Sequence, residues 1–364
     1  MMAPPGDAHP QTVRVSLGCG RSQRLTLTDP HSQRRIASVL SVDADTKLSV
    51  VTITLSPSVD YSMEVDKLIP DRKLRTELVK TEPGGGGIQV ARALKTFGTS
   101  VEAIMTVGGS TGRALTALLE NEGLNIRPVL VQSDTRPVIT LQVNSTGENF
   151  RLVSRQQPLE EYEYAPVLTR LQEIRKLPPY VVLSGSFPPG VPPEFVHDVA
   201  QVVAGRGSRL LVDTSGAALK EAVKAKIAVL KPSETELAAL VGADPEDPNF
   251  DIPAAAREIV SRGVGAVLVS IGPEGAYVVG EDGQEAMIRP PKIDAVSTVG
   301  AGDSTVAGLV AGLSRGVPLV GAARLGVACG TGTCRHPGSK LFTLEDINEL
   351  MPNVLVERRT PPAS

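Results

Sequence analysis

The chain has 364 residues, 41% of them hydrophobic, which is enough for one large α/β domain with a real core or for two small ones. A formal net charge of −3 without long basic runs argues against nucleic acid or an anionic membrane as partner, and 3% aromatics with no Trp leave few platforms for stacked bases. Cys19, Cys329 and Cys334 show no metal-ligand spacing and fit a reducing cytoplasm, and no apolar stretch is long enough to span a bilayer.

Residues 1–47 read as a loosely ordered or regulatory N-terminal extension. They are polar and arginine-bearing, they lack the apolar core of a secretory signal, and Asp7, Asp29, Asp43 and Asp45 weigh against a transit peptide. From Leu48 the pattern turns regular, beginning with the strand "LSVVTITLS". A ribbon-like insert follows over Asp60 to Glu82, and then the glycine run Gly84 to Gly87. That run opens the helix "IQVARALKTFG", whose Val90, Leu94 and Phe97 share a face and which stops at Gly98. The strand "VEAIMTVGG" and the helix "TGRALTALLENEG" come next.

A second insert over Arg136 to Ser154 alternates Val138, Thr140 and Gln142 with Ile139, Leu141 and Val143 before a turn at Ser145 to Gly147. One amphipathic helix is predicted over "LEEYEYAPVLTRLQEIRKL", with Tyr164, Val167, Leu168, Leu171 and Ile174 on its buried face. The short apolar strands "YVVLSGS", "RLLVDTS", "IAVLKPS" and "AVLVSIG" then alternate with helical segments. Such alternation predicts an α/β domain with a mostly parallel sheet covered on both faces, with ligands at the carboxyl ends of its strands. Ser184, Ser186, Asp213, Lys231 and Ser270 stand at those ends. The domain is expected to run over residues 48–352, with the inserts near 60–82 and 136–154 as a small β-sheet lid or dimer surface and 353–364 as a tail.

Two glycine turns carry the chemistry. In "PGGGGIQVARAL" the glycines permit positive φ and close backbone approach at a helix start, which suits an anion or a sugar hydroxyl. In "STVGAGDSTVAG" the turn Gly300-Ala301-Gly302 precedes Asp303 and an apolar helix. Backbone N–H groups at such a start hold the charge of a phosphoryl group in transfer, and the adjacent carboxylate can take a proton from an attacking hydroxyl. A plain helix cap is the competing reading of Asp303. In "KPSETEL", Lys231 suits phosphates and Glu236 suits Mg²⁺ held through water, or Glu236 simply complements the helix dipole. Lys73, Arg75 and Arg136 in the inserts suit a phosphate-bearing substrate, against a default of surface charge.

These segments together, from about Leu48 to Met351, resemble the PfkB branch of the ribokinase-type sugar kinases. "STVGAGDS" matches that family's carboxy-terminal signature and "PGGGGIQVARAL" its amino-terminal one, with "SPSVD", "KLR", "GGSTG", Thr135-Arg136, "SGSFPPGV" and "VSIGPEGA" in family order. The resemblance implies a ribokinase-like three-layer α/β/α fold and an ATP-dependent phosphosugar kinase acting on fructose 6-phosphate, with tagatose 6-phosphate or fructose 1-phosphate as alternatives. It implies Asp303 as catalytic base and Gly300, Ala301 and Gly302 as the anion hole. Asp60, Gly85, Gly86 and Gln89 would meet the sugar near Ser186, and Lys73, Arg75 and Arg136 its phosphate. Lys231, Ser270, Gly272 and Gly275 would line the ATP site, with Mg²⁺ at Glu236 and a monovalent cation (K⁺) beside Ser297 and Val299. A homodimer through the lid is the expected assembly. Two departures stand out: Gln89 and Ser233 where the family usually has Asn. They keep open a different sugar preference, or a non-catalytic sugar-phosphate and nucleotide sensor, a reading that the intact Asp303 turn opposes.

Overall fold

The computed structural model describes residues 13–17, 21–25 and 49–358. Within the extension, β1 (Val13–Leu17) pairs antiparallel with β2 (Arg21–Leu25), an element that its polar composition did not announce. The rest of 1–47 and the end of the tail lie outside the described residues.

A ten-stranded sheet forms the centre of the domain. Its parallel part contains β3 (Val50–Thr54), β6 (Val101–Val107), β7 (Asn125–Leu130), β10 (Tyr180–Ser184), β11 (Arg209–Asp213), β12 (Val229–Leu230) and β13 (Ala266–Ser270). Every residue of β3 and β10 is buried, because both faces of these apolar runs are covered. Val50 and Val182 point into one core, and Val51 and Val181 into the other. Helices Gly86–Thr96, Gly109–Asn121, Ala301–Ser314 and Leu319–Cys334 pack on the first face. Helices Phe195–Gly205, Gly216–Lys224, Glu234–Val241 and Ile252–Ser261 pack on the second. The expected three-layer architecture is therefore present.

The helix that starts at Ala301 is held by a close crossing. A Cβ added at Gly308 would lie 2.8 Å from Gly326 Cα, so glycine lets the helices Ala301–Ser314 and Leu319–Cys334 meet backbone to backbone. This contact aims the N-terminus that carries Asp303.

The lid is a separate four-stranded sheet of β4 (Ser58–Val65), β5 (Glu77–Gly84), β8 (Arg136–Val143) and β9 (Asn149–Val153). The two inserts are each antiparallel ribbons, as expected, but they join through a parallel pairing of β4 with β8 that puts Ser58 beside Arg136 and Asp60 beside Val138. The strands of the first insert reach from Ser58 to Gly84, beyond the expected 60–82, and residues 66–76 connect them.

Two further expectations change. The single helix over Leu159 to Leu177 is split into Glu161–Tyr164 and Pro166–Gln172, because Pro166 has no N–H to continue the first helix and starts the second. The segment 353–364 is not wholly a tail. β16 (Leu355–Arg358) closes the sheet by pairing antiparallel with β15 (Glu285–Arg289), which pairs with β14 (Ala276–Gly280).

Candidate active site

A cavity of about 420 Å³ opens between the lid and the carboxyl ends of the central strands. Ser58, Asp60, Arg136, Val138, Arg151 and Val153 line it from the lid, and Gly85, Gly86, Gln89, Ser186, Gly300 and Asp303 from the domain. This volume suits a small, largely enclosed ligand.

The floor is made by two helix starts. Gly85 caps the helix Gly86–Thr96 at φ 114°, and Gly300 caps the helix Ala301–Ser314 in the left-handed region at φ 79°. After Gly300 the chain bonds Ser304 N to the Gly300 carbonyl, so the amides of Gly302 and Asp303 have no acceptor within the helix. The helix dipole adds to these donors, so the turn can hold an anion.

Asp303 is partly accessible from the cavity. Its carboxyl is pushed up to about 7, first by burial and then by the neighbouring Asp213 carboxylate, with Lys231 and Ser184 pulling the other way. Lys231 is buried with its Nζ 3.1 Å from Asp213 Oδ1. A Cβ added at Gly302 would lie 3.7 Å from that ammonium, which therefore stands beside the glycine turn. Burial works against the ammonium, yet Asp213, Asp303 and Glu236 hold it above its ordinary value. Burial raises Asp213 in spite of the ion pair.

The lid wall follows from strand periodicity. Ser58 and Asp60 on β4, Arg136 and Val138 on β8, and Arg151 and Val153 on β9 share the inner face through the ladder registers. Ser58 Oγ donates to Asp60 Oδ1 at 2.6 Å. Burial raises the Asp60 carboxyl, opposed by Ser58, Arg151 and Arg136. Burial lowers the Arg136 guanidinium, Arg151 adds to that, and the buried Nε of Arg136 has no hydrogen-bond partner. Two guanidinium groups facing one cavity, one with an unmet donor, make a receptor for an anion.

Several expected site residues sit differently. Lys73 and Arg75 are exposed in the connection 66–76 and do not line this chain's cavity, because β4 and β5 carry that connection past its rim. Arg151 takes the place they were expected to fill. Its position was readable from the turn at Ser145 to Gly147, which sets Arg151 opposite Thr140 on the face that carries Val138. Gln89 lines the cavity, but its amide is already engaged: Nε2 donates to the Pro83 carbonyl at 2.9 Å and Oε1 accepts from Arg92 at 2.9 Å. The longer amide thus braces the glycine run as well as facing the ligand.

On the far side of the glycine turn, Ser233 and Glu236 form a capping box. Glu236 Oε2 accepts from Ser233 N at 2.8 Å, and Ser233 Oγ accepts from Glu236 N at 3.2 Å. This engages one of the two carboxylate oxygens of Glu236. Ser233 bridges to Ser270 at the end of β13, which brings Lys231, Ser270, Gly272 and Gly275 to the same edge. Gly275, at φ 104°, has no room for a Cβ against the Ile288 carbonyl. Ser297 Oγ donates to the Gly338 carbonyl at 3.1 Å and accepts from Val299 N at 3.2 Å, which folds the turn before Gly300 onto the segment after Cys334.

Residues 45–346 match the family described as pfkB family carbohydrate kinase. The chain is 36% identical over 304 residues to the ATP-dependent 6-phosphofructokinase isozyme 2 of Escherichia coli, covering 83% of this chain and 97% of that one. It is 32% identical over 309 residues to the 1-phosphofructokinase of Bacillus subtilis, covering 85% and 99%. Among solved structures, phosphofructokinase-2 from Escherichia coli in complex with potassium superposes with a TM-score of 0.79 at 35% identity, covering 84% of this chain and 99% of that one.

A reaction that needs Asp303 ionised gains rate as pH rises through about 7. Asp213→Asn removes the second carboxylate that holds this value up and also frees Lys231 to face Asp303. The acid limb of kcat/KM is expected to move to lower pH in Asp213→Asn than in the wild type, with the same substrate in both so that substrate ionisation cancels. An upward shift would contradict this electrostatic assignment.

Proposed function

The chain belongs to the pfkB family of carbohydrate kinases, and we propose that it transfers the γ-phosphoryl group of ATP to the 1-hydroxyl of fructose 6-phosphate. That it is an ATP-dependent phosphosugar kinase follows from the family and its relatives. The acceptor is our reading, and one observation supports its class, a sugar phosphate: a single cavity has Arg136 and Arg151 on its lid and Asp303 on its floor. An acceptor that fits both ends has an anionic group and a free hydroxyl.

In this reading the lid guanidinium groups bind the sugar phosphate, while Asp60, Gly85, Gly86, Gln89 and Ser186 position the sugar. Asp303 takes the proton of the attacking hydroxyl, and the Gly302 and Asp303 amides with Lys231 offset the charge on the moving phosphoryl group. Ser270, Gly272 and Gly275 border the nucleotide. Mg²⁺ fits the second oxygen of Glu236 through water, since Mg²⁺ keeps several waters and takes one or two carboxylates. When bound it would neutralise phosphate charge. A monovalent cation beside Ser297 and Val299 would accord with the potassium named for the Escherichia coli relative.

We further assign the outer face of the lid to a second copy. Leu152 and Phe150 there are 53% and 40% exposed and lie in register with Ile139 and Leu141. Lys73 and Arg75, outside their own cavity, could then serve the sugar phosphate only from a partner's lid. Replacing both Phe150 and Leu152 by Glu should convert a dimer to a monomer in sedimentation velocity. An unchanged sedimentation coefficient would reject this surface.

The substrate is tested with fructose 6-phosphate, tagatose 6-phosphate, fructose 1-phosphate and free fructose. Fructose 6-phosphate should have the highest kcat/KM, and Arg136→Ala and Arg151→Ala should each lower it by roughly 10–150-fold, the value of a charge-assisted hydrogen bond. The KM for ATP should barely change. A preference for fructose 1-phosphate would favour the activity named for the Bacillus subtilis relative. Equal losses on fructose and its phosphate would make the arginines structural.

A further inference from the structure

We propose that Ser339 is a positioning residue for phosphoryl transfer, its bond to Glu82 setting the spacing between the two glycine turns that floor the cavity. This rests on the reading of Gly84 to Gly87 as the acceptor side and Gly300 to Asp303 as the phosphoryl side. Ser339 acts through the elements it joins and not on either substrate.

On the acceptor side the bond ends where the lid meets the glycine run. Glu82 lies on β5 just before Pro83 and Gly84, and it is buried. Its register partner on β4 is Asp60, which lines the cavity, and the Pro83 carbonyl accepts from Gln89 Nε2. A shift of Glu82 therefore carries Asp60, the glycine run and Gln89 with it. A buried carboxylate needs donors on both oxygens. Lys80 Nζ stands 2.6 Å and Arg92 3.9 Å from Oε1. Oε2 is met by Ser339 Oγ, which donates at 2.5 Å.

On the phosphoryl side, the segment that carries Ser339 is bonded around the Gly300 turn. The Cys334 carbonyl accepts from Val296 N at 2.8 Å, and the Gly338 carbonyl accepts from Ser297 Oγ at 3.1 Å. Thr333 Oγ1 donates at 2.7 Å to the hydroxyl of Ser304, the buried residue after Asp303, and accepts from Phe342 N at 3.2 Å. Gly338 turns the chain at φ 63°, and Ser339 follows it toward the lid. One short segment thus clasps the anion-holding turn and reaches the acceptor side through a single hydroxyl.

Such a tie is needed because the helix bodies do not fix their own ends. Gly86–Thr96 and Ala301–Ser314 pack into the same core through apolar side chains, but each starts with glycines that have no side chain to pack. The acceptor hydroxyl and the phosphoryl group are held at those bare ends, and a misplacement of about 1 Å there costs on the order of 10²-fold in rate.

The test compares Ser339→Ala, Ser339→Thr, Glu82→Ala and the double alanine variant with the wild type, using ATP and fructose 6-phosphate, with thermal unfolding alongside. Ser339→Ala should lower kcat by about 10–100-fold, with both KM values and the unfolding midpoint near those of the wild type. Ser339→Thr, which keeps the hydroxyl, should recover most of kcat. In the Glu82→Ala background the loss of Ser339 should cost little further rate. Should Glu82→Ala not fold, Glu82→Gln takes its place, and the cost of Ser339→Ala should again be smaller than in the wild type. An unchanged kcat in Ser339→Ala, a threonine variant no better than alanine, or an equal cost in both backgrounds overturns the role of Ser339. A wild type that phosphorylates no sugar phosphate removes the proposed function and this role together, whereas an active wild type with Ser339→Ala at full kcat removes only the latter.

Discussion

The site depends on a shortage of positive charge in a partly buried corner. Asp213 and Asp303 share that corner with one ammonium, Lys231, which bonds to Asp213 at 3.1 Å. With both acids ionised the corner carries an uncompensated negative charge in a poorly solvated place, and the cheapest relief is a proton on Asp303. A proton arriving on either carboxylate would supply the missing charge. The same ammonium stands beside Gly302, so one cation borders both the Asp303 carboxylate and the glycine turn.

The rest of the fold keeps this corner in place. β10, β11 and β12 deliver Ser184, Asp213 and Lys231 from adjacent strand ends, where parallel pairing fixes their spacing. The glycine crossing at Gly308 and Gly326 sets the direction of the helix that carries Asp303. The lid is tied to the domain by Ser339 Oγ, which donates to the buried Glu82 at 2.5 Å, and by Gln156, which bonds Ser56 on the cavity rim. Gly338, next to Ser339, accepts from Ser297. A short segment after Cys334 therefore touches both the lid and the turn before Gly300.

Much of this was legible in the chain. Continuous apolar strands alternating with amphipathic helices announce a covered parallel sheet, and the polar residues ending those strands are the ones that meet at the site. The two glycine turns were readable because positive φ and close packing leave few other residues possible. Less legible was what depends on register across long sequence separations. The parallel joining of β4 to β8 puts Arg136 beside Ser58, and neither insert alone indicates it. The exclusion of Lys73 and Arg75 from the cavity follows from the same geometry. Pro166 interrupts a strong helical pattern, and β16 is too short and too exposed to stand out from a tail. Glu236 shows a residue meeting two readings at once, since it caps its helix and keeps a second oxygen.

The charge shortage can be observed directly. Protein labelled with ¹³C at aspartate carboxyl carbons would be titrated by NMR, with Asp303→Asn used to assign the resonance that disappears. That resonance should titrate near pH 7. A midpoint near the ordinary aspartate value of about 4 would mean that Asp303 is well solvated or well paired, and would contradict the charge balance on which this reading of the site is built.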